Sequence, residues 1–373
     1  KQALANKGLN SLYTHQRGAY DRVTQGENIC VVTPTASGKT MCYNLPVLDA
    51  ILKDPNSRAL YLFPTKALAQ DQLAEIEDMC RAGGFSIKSF TFDGDTPNSK
   101  RRLAKQVGQV IITNPDMCHQ AILPHHTTWA RLFKSIKYVV IDEMHNYRGV
   151  FGSHVANVLR RLIRICEFYG TSPQFILASA TIANPRELAE TLIGKPVTAI
   201  DRNGAPSSDK DFIFYNPPVL DPDNSIRQSS IDAAYKISSR FIRNDIQTLV
   251  FARSRMSCEL LVQYLRDSYS RDFEKEKVQG YRGGYLPNER REIERGLREG
   301  SIIGVAATNA LELGIDIGRL DVVVMSGYPG TIASTWQQAG RAGRRQGKSA
   351  AFLVAGGSPL DQFVINNPDY FFA

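Results

Sequence analysis

Short apolar runs alternate with longer segments of helical spacing along the whole chain. This pattern is typical of parallel strands joined by crossover helices, so the sequence predicts an α/β fold. In the first half we predict strands at residues 29–32, 59–63, 89–92, 110–113, 138–141 and 175–178. A second series is predicted at residues 212–215, 248–251, 278–281, 302–306, 322–325 and 351–354.

A polar segment separates the two series of strands. Residues 201–210, "DRNGAPSSDK", combine Gly, Pro and Ser as an interdomain linker does. We therefore predict two domains, 1–205 and 206–373, each a mostly parallel sheet flanked by helices. In the second domain, "YLPNERREIERGLREG" predicts a helix with Pro287 in its first turn and Gly300 as its C-terminal cap, packed on the sheet through Ile293 and Leu297.

Composition limits the classes of protein. A chain of 373 residues that is 43% hydrophobic can form two cores, and no run approaches the roughly 20 apolar residues of a membrane-spanning helix. The net charge is +8, of which about +7 precedes residue 205, and this favours a polyanionic partner. Six scattered cysteines are typical of reduced thiols in a cytosolic protein.

The stretch "TPTASGKT", residues 33–40, follows the first predicted strand. In a phosphate-binding loop, backbone N–H groups surround the phosphates, Lys39 supplies positive charge and the Thr40 hydroxyl binds Mg²⁺. Thr33 stands where the first glycine of such a loop usually lies. The residues alone leave two interpretations, a nucleotide site or a strand-to-helix turn that carries Gly-Lys-Thr.

Acidic and basic motifs further along the chain bear on this choice. In "KYVVIDEMH" a strand ends at Asp142 and Glu143, which suit a Mg²⁺ ligand and a residue that orients or deprotonates water. The alternative is an acidic pair at a helix N-terminus. In "QQAGRAGRR", Arg341 and Arg344 are arginine-finger candidates, and the alternative is a basic surface helix.

Eleven motifs in order resemble the motor of a superfamily 2 helicase: "LYTHQ", "TPTASGKT", "FPTKALAQDQ", "DGDT", "TNPDM", "DEMH", "SAT", "VFARSR", "YRGGY", "TNALELGIDIG" and "QQAGRAGRR". Longer strings, including "DEMHNYRGVFGSHVANVLRRL" and "NNPDYFF", are similar to MrfA-type DNA-repair helicases, which are RecQ-like. The resemblance implies tandem RecA-like domains and an ATP-dependent 3′-to-5′ DNA helicase that acts in repair of damaged DNA, including interstrand crosslinks.

The same resemblance assigns the nucleotide site. It implies that Gln16 reads the adenine edge and that Tyr13 or His15 packs near the base. Phosphate and Mg²⁺ contacts are implied for Thr35, Ser37, Gly38, Lys39 and Thr40, with Asp142 completing the Mg²⁺ ligands and Glu143 acting on water. Ser179 and Thr181 would couple nucleotide state to domain movement, and the second domain would contribute Gly314, Asp316, Gln337, Arg341 and Arg344.

Motif position also gives the candidate DNA contacts, which are Thr65, Lys66, Thr113, Asn114, Arg253, Arg282, Gly283, Thr308 and Asn309. Each of them fits a loop cap or a turn residue as well. The expected partner is single-stranded or partly duplex DNA, bound by a cytoplasmic, nucleoid-associated monomer without membrane contact. The alternatives are an RNA helicase and a nucleic-acid-binding scaffold without efficient turnover.

One feature of the family is missing from the sequence. Members carry a C-terminal region with four zinc-binding cysteines, whereas this chain begins at Lys1 and ends at Ala373 without that region. We therefore interpret the chain as an excised motor and expect zinc only in the absent region. Strand separation and damage recognition that depend on that region are not expected of these residues alone.

Overall fold

A computed structural model describes residues 2–34, 37–206, 209–223, 226–269, 275–311, 317, 320–343 and 348–372 of the chain. The chain forms two compact units, unit 1 (Lys1–Ala205) and unit 2 (Pro206–Ala373). Each unit is built around its own parallel sheet. No helix within the described residues has the length and apolar character needed to cross a bilayer.

The described part of unit 1 contains a seven-stranded sheet in the order β3-β4-β2-β5-β6-β1-β7, in which every neighbouring pair is parallel. The strands are β1 (Ile29–Val32), β2 (Arg58–Leu62), β3 (Ser89–Thr91), β4 (Val110–Thr113), β5 (Ile136–Ile141), β6 (Gln174–Ser179) and β7 (Thr198–Ile200). The helices are α1 (Gln2–Asn6), α2 (Thr14–Thr24), α3 (Lys39–Lys53), α4 (Lys66–Gly83), α5 (Asn98–Val107), α6 (Pro115–Met117), α7 (Ala130–Phe133), α8 (Gly149–Phe168) and α9 (Pro185–Ile193). A π-helical turn at Cys118–Ile122 and 3₁₀ turns at His126–Trp129 and Met144–Asn146 complete the unit.

Apolar layers cover both faces of this sheet. Along β1, Cys30 and Val32 pack into one cluster, while Ile29 and Val31 pack into the other. Because both faces are buried, the strand is a continuous apolar run and shows no alternation with polar residues. This burial explains why the central strands could be predicted from short apolar runs.

The described part of unit 2 contains a six-stranded parallel sheet in the order β12-β13-β11-β14-β15-β8, beside an antiparallel pair of β9 and β10. The strands are β8 (Lys210–Tyr215), β9 (Val219–Asp221), β10 (Ile226–Arg227), β11 (Thr248–Phe251), β12 (Val278–Tyr281), β13 (Gly304–Ala307), β14 (Val322–Ser326) and β15 (Ser349–Val354). The helices are α10 (Ser230–Ile242), α11 (Arg255–Ser268), α12 (Pro287–Glu299), α13 (Ile332–Ala339), α14 (Pro359–Asn366) and α15 (Pro368–Phe372), with 3₁₀ turns at Lys275–Lys277 and Asn309–Leu311.

The α/β fold class and all twelve predicted strands are confirmed, with ends that shift by at most two residues. Helix α12 is also confirmed: Gly300 follows it with φ 79°, and Ile293 and Leu297 pack into the core beside the sheet. The sequence prediction missed β7, β9 and β10. These strands have three residues or fewer, too short for a hydrophobic period to be recognised.

Candidate nucleotide and nucleic-acid site

The loop between β1 and α3 turns sharply at Gly38, which has φ 80° and immediately precedes α3. Lys39 is therefore the first helical residue, and its Nζ donates hydrogen bonds to the carbonyl oxygens of Thr33 (2.7 Å) and Pro34 (3.0 Å). The hydroxyls of Thr33 and Ser37 lie 2.6 Å apart and are buried. The threonine at the usual glycine position thus closes the loop by a side-chain hydrogen bond. Thr35 lies outside the described residues.

Helix α2 holds this loop from the side. His15 is buried, its Nδ1 accepts the Gly204 N–H at 3.2 Å, and its Nε2 lies 3.1 Å from the Ser37 carbonyl oxygen. Because Nδ1 accepts, Nε2 carries the proton and donates a hydrogen bond to the Ser37 carbonyl oxygen. Burial lowers the pKa of His15, and the nearby Lys39 charge lowers it further. The imidazole is therefore neutral and joins the loop before α3 to Gly204.

Gln16 links α2 to the loop at two points. Its Oε1 accepts the Tyr13 N–H at 3.0 Å, and its Nε2 donates to the Gly38 carbonyl at 3.1 Å. Among the described residues, these two contacts leave one N–H and one oxygen lone pair of the amide for a ligand. The Tyr13 ring is 40% exposed and stacks on His15 with centroids 5.9 Å apart.

Asp142 and Glu143 follow directly after β5. Asp142 is buried, with Oδ2 accepting from the Tyr43 hydroxyl at 2.9 Å and Oδ1 accepting the Glu143 N–H at 2.8 Å. Burial raises the pKa of Asp142, and the Glu143 carboxylate raises it further. Glu143 itself has φ 50°, a left-handed conformation that costs about 1–2 kcal/mol in a residue with a Cβ. Backbone strain of this kind is concentrated at functional sites.

His145 connects the acidic pair to the end of β6. Its Nδ1 lies 3.4 Å from Glu143 Oε2 and 3.4 Å from the Ser179 hydroxyl. Burial lowers the pKa of His145 to about 4, so the contact with Glu143 involves a neutral ring at pH 7. Of the two residues predicted to couple nucleotide state to movement, Ser179 is fully buried and Thr181 is exposed.

The donor set at this position suits Mg²⁺. Thr40 and Asp142 offer hydroxyl and carboxylate oxygens, the ligands that Mg²⁺ prefers. Each Asp142 oxygen accepts one described hydrogen bond and keeps a further lone pair. The Lys39 charge acts on Asp142 and the Thr40 side chain interacts with the Tyr43 hydroxyl, so these candidates lie together.

The candidate DNA contacts in unit 1 lie at or after the ends of β2 and β4. Thr65 caps α4 by accepting the Leu68 N–H at 3.3 Å, and Asn114 caps α6 in the same way through Met117. The buried Thr113 hydroxyl donates to the Phe92 carbonyl at 2.6 Å. The side chains of Thr65, Thr113 and Asn114 therefore each form a hydrogen bond that caps a helix or links two strands.

Each of the three basic candidates forms an ion pair. Lys66 Nζ lies 2.7 Å from Asp95 Oδ2, and Arg253 Nη1 lies 3.4 Å from Asp361 Oδ1. Arg282 Nε lies 2.5 Å from Glu259 Oε1, and its guanidinium stacks on the Tyr285 ring at 5.0 Å. Sequence reasoning missed these acidic partners, because no motif spacing connects them to the basic residues.

The remaining candidates belong to unit 2. Gly283 pairs with Tyr285 in an isolated bridge, and Thr308 and the exposed Asn309 follow β13. Gln337 lies on α13, and Arg341 follows that helix; both side chains are buried. Gly314, Asp316 and Arg344 lie outside the described residues.

Sheet topology separates the two kinds of candidate in each unit. In unit 1 the phosphate, Mg²⁺ and coupling candidates lie at or after the ends of the adjacent strands β5, β6 and β1, whereas the DNA candidates lie at or after the ends of β2 and β4. The base-contact candidates Tyr13 and Gln16 lie at the start of α2. In unit 2 the DNA candidates follow the adjacent strands β12, β13 and β11, whereas α13 follows β14. The unit 1 candidates that follow strands and the DNA candidates of unit 2 lie at or beyond the carboxyl ends of parallel strands, where open α/β sheets bind ligands. Arg341 instead lies near the amino end of β14, because its neighbour Ala342 pairs with Leu320.

Two family models define the class of the protein. The model for DEAD/DEAH box helicases matches residues 13–189, and that for the helicase conserved C-terminal domain matches residues 231–346. The first match falls in unit 1 and the second in unit 2. The chain is therefore of the helicase class with tandem RecA-like domains.

Individual relatives narrow this class. The uncharacterized ATP-dependent helicase YprA of Bacillus subtilis is 57% identical over 100% of this chain and 50% of YprA. ATP-dependent helicase HRQ1 of Saccharomyces cerevisiae is 42% identical over 96% of this chain and 34% of HRQ1. The crystal structure of DUF1998 helicase MrfA bound to DNA and AMPPNP has a TM-score of 0.95 and 57% identity, covering 100% of this chain and 52% of MrfA.

The chain belongs to the MrfA/YprA type of ATP-dependent helicases. It spans about half the length of YprA and MrfA and about a third of HRQ1.

Proposed function

We propose that this chain is an ATP-driven motor that moves along single-stranded DNA in the 3′-to-5′ direction and separates strands during repair of damaged DNA. In this proposal residues 1–205 form the ATP-binding domain and residues 206–373 the helicase C-terminal domain. One observation carries the proposal: the start of helix α3, with Lys39 and Thr40, lies beside the Asp142 carboxylate in unit 1.

Bound ATP would lie with its phosphates at the N-terminus of α3, where backbone N–H groups and Lys39 meet negative charge. Mg²⁺ held by Thr40 and Asp142 would neutralise charge on the outer phosphates. Glu143 would orient and deprotonate the attacking water. The N–H and lone pair of Gln16 that no described contact uses match the N7 acceptor and N6 donor of adenine, which supports ATP as the nucleotide.

Support for DNA comes from charge and from a relative. MrfA has been crystallised with DNA and AMPPNP, and about +7 of the net charge of +8 lies in residues 1–205. Polarity and the repair role rest on the motif resemblance. We also propose that the chain acts as a monomer near the nucleoid, and that Gln337, Arg341 and Arg344 contribute to hydrolysis.

Steady-state ATP hydrolysis, measured with and without single-stranded DNA or RNA, tests the proposal. We expect stimulation by DNA, and loss of hydrolysis with retained nucleotide binding in Glu143→Gln. The matched control is Glu167→Gln, which removes a carboxylate from the exposed end of α8. Stimulation by RNA alone would favour an RNA helicase, and a folded protein that binds ATP without hydrolysis would favour a scaffold.

Two further assays test polarity and pathway. A 3′-to-5′ motor displaces a duplex that carries a 3′ single-stranded tail and leaves a 5′-tailed duplex intact; the reverse preference would refute the polarity. Loss of the encoding gene should sensitise the source cell to mitomycin-type crosslinking agents. Unchanged sensitivity would refute the assigned repair role.

A further inference from the structure

A chain of buried polar side chains leads from the candidate Mg²⁺ site to helix α4. The Tyr43 hydroxyl lies 2.9 Å from Asp142 Oδ2 and 3.0 Å from Gln72 Oε1. Gln72 Nε2 donates to Asn44 Oδ1 at 3.0 Å, and that oxygen also accepts from the Tyr61 hydroxyl at 3.1 Å. All five side chains are at least nine-tenths buried. None of the sequence motifs assigns a role to Tyr43 or Gln72.

Tyr43 is placed to act on both candidate Mg²⁺ ligands. It lies one helical turn after Thr40 on α3, and the Thr40 side chain interacts with its hydroxyl. The same hydroxyl fixes Oδ2 of Asp142, while the Glu143 N–H fixes Oδ1. The direction in which the Asp142 carboxylate presents its remaining lone pairs is therefore set by these two donors.

Which groups donate and which accept along these hydrogen-bonded side chains follows from how many protons each group carries. A tyrosine hydroxyl has one proton, and an ionised carboxylate only accepts. With Asp142 ionised, Tyr43 donates to Asp142, and the Gln72 amide turns so that an N–H group meets the Tyr43 oxygen while its own oxygen accepts from the Asn44 amide, turned in the same way. A 180° rotation exchanges the amide oxygen and nitrogen, so Gln72 suits either direction.

We propose that Tyr43 is a positioning residue that holds Asp142 in the orientation that binds Mg²⁺–nucleotide, and that Gln72 connects this hydroxyl to α4. Helix α4 begins at the DNA-contact candidates Thr65 and Lys66, so one buried linkage joins the two kinds of site in unit 1. The inference rests on the proposed function, because it takes Asp142 as a Mg²⁺ ligand. If the network served only folding, loss of the Tyr43 hydroxyl would affect nucleotide binding no more than loss of another buried hydroxyl of the same network.

Tyr61→Phe is the matched control for Tyr43→Phe. Each change removes one buried hydroxyl from the same group of hydrogen-bonded side chains, but only Tyr43 contacts Asp142. The probe is a fluorescent ADP titrated in Mg²⁺ and in EDTA, with thermal unfolding recorded for every variant. Mg²⁺ should raise the affinity of the wild type for fluorescent ADP, and we expect this increase to be about ten-fold smaller in Tyr43→Phe. Loss of an outer contact to a metal ligand commonly has an effect of this size. The affinity of Tyr43→Phe in EDTA should be unchanged. Tyr61→Phe should keep the full gain.

Gln72→Met provides a second measurement that leaves the Tyr43 hydroxyl in place. We expect it to bind single-stranded DNA like the wild type without nucleotide, and to lose at least half of the change in DNA affinity that Mg²⁺ and AMP-PNP cause. It also serves as the test of the linkage if Tyr43→Phe does not fold.

An unchanged Mg²⁺ gain in Tyr43→Phe, or equal losses in both tyrosine variants, would overturn the positioning role. An unchanged nucleotide effect on DNA binding in Gln72→Met would overturn the linkage to α4. A wild-type chain that binds fluorescent ADP in neither buffer would instead refute the proposed function, and the inference with it.

Discussion

Arg282 and Glu259 form an ion pair across 23 positions of the sequence, with Nε 2.5 Å from the carboxylate oxygen Oε1. Lys66 has the same relationship to Asp95 in unit 1. A phosphate group that binds either basic residue must replace a carboxylate that is already there. In the proposed DNA contact, these acidic partners would therefore weaken binding and orient each basic side chain.

Neutralising Glu259 should tighten DNA binding. We expect Glu259→Gln to bind single-stranded DNA about two- to five-fold more tightly at low salt, because the phosphate no longer competes with an ion pair of modest strength. Fluorescence anisotropy across a salt series measures this, with Asp369→Asn on the exposed α15 as a control for the same change in net charge. Equal gains in both variants would show a general charge effect and refute a role for the pair.

Much of the fold could be predicted because its cause is local. The central strands are buried on both faces, so each is a short apolar run, and Gly300 ends α12 in the left-handed conformation that favours glycine. The turn into α3 has an equally local cause, since Gly38 adopts φ 80° directly before Lys39 and Thr40 begin the helix.

The partners of the site residues were beyond sequence reasoning. Tyr43 and Asp142 are 99 positions apart, and Arg253 and Asp361 are 108 apart, yet each pair is in contact. Such contacts depend on which strands become neighbours in the sheet, and no period or motif encodes that order. The short strand β7 was missed for a related reason: it forms by pairing with β1, and its three residues carry no pattern of their own.

Gly38 should be required for nucleotide binding beyond its effect on stability. An alanine there would adopt φ 80° and place its Cβ 2.6 Å from Gln16 Nε2, which displaces the side chain that holds the loop. Gly26 has φ 90° with nothing within 4 Å of a Cβ, so Gly26→Ala carries the conformational cost alone. The conformational cost should be about 1–2 kcal/mol of stability in each variant, and Gly38→Ala also loses the Gln16 contact with the loop. Only Gly38→Ala should lose binding of fluorescent ADP, and equal binding by both would contradict this role.

Lys39→Ala should abolish ATP hydrolysis and leave DNA binding largely intact. The ammonium group contacts the carbonyl oxygens of Thr33 and Pro34, so its loss removes a support of the loop. In the proposed site it also removes the positive charge that meets the phosphates. The candidate DNA contacts of unit 1 follow other strands and should be unaffected. Hydrolysis and DNA anisotropy are measured on the same preparation, with thermal unfolding as the control. A fall in DNA binding that accompanies lost folding would identify Lys39 as a structural residue.

Stability should decline as the solution is acidified below pH 6.5, and His145 should account for a defined part of the decline. Burial lowers its pKa in the folded chain to about 4, whereas the unfolded chain has the ordinary value of about 6.5. Below pH 6.5 the unfolded chain takes up a proton that the folded chain does not, so the stabilisation present at neutral pH is lost as the pH falls towards 4. The loss between pH 8 and pH 5 should be about 2 kcal/mol.

Urea unfolding of the wild type and of His145→Gln at pH 8 and pH 5 measures this contribution. The variant is expected to be less stable at pH 8, because the Ser179 and Glu143 contacts of the ring are lost. Its stability should nevertheless depend less on pH than that of the wild type, since the group that titrates is gone. His154→Gln, a change at an exposed position of α8, should keep the full dependence. The same pH dependence in His145→Gln and wild type would show that the buried ring is not the source of the acid sensitivity.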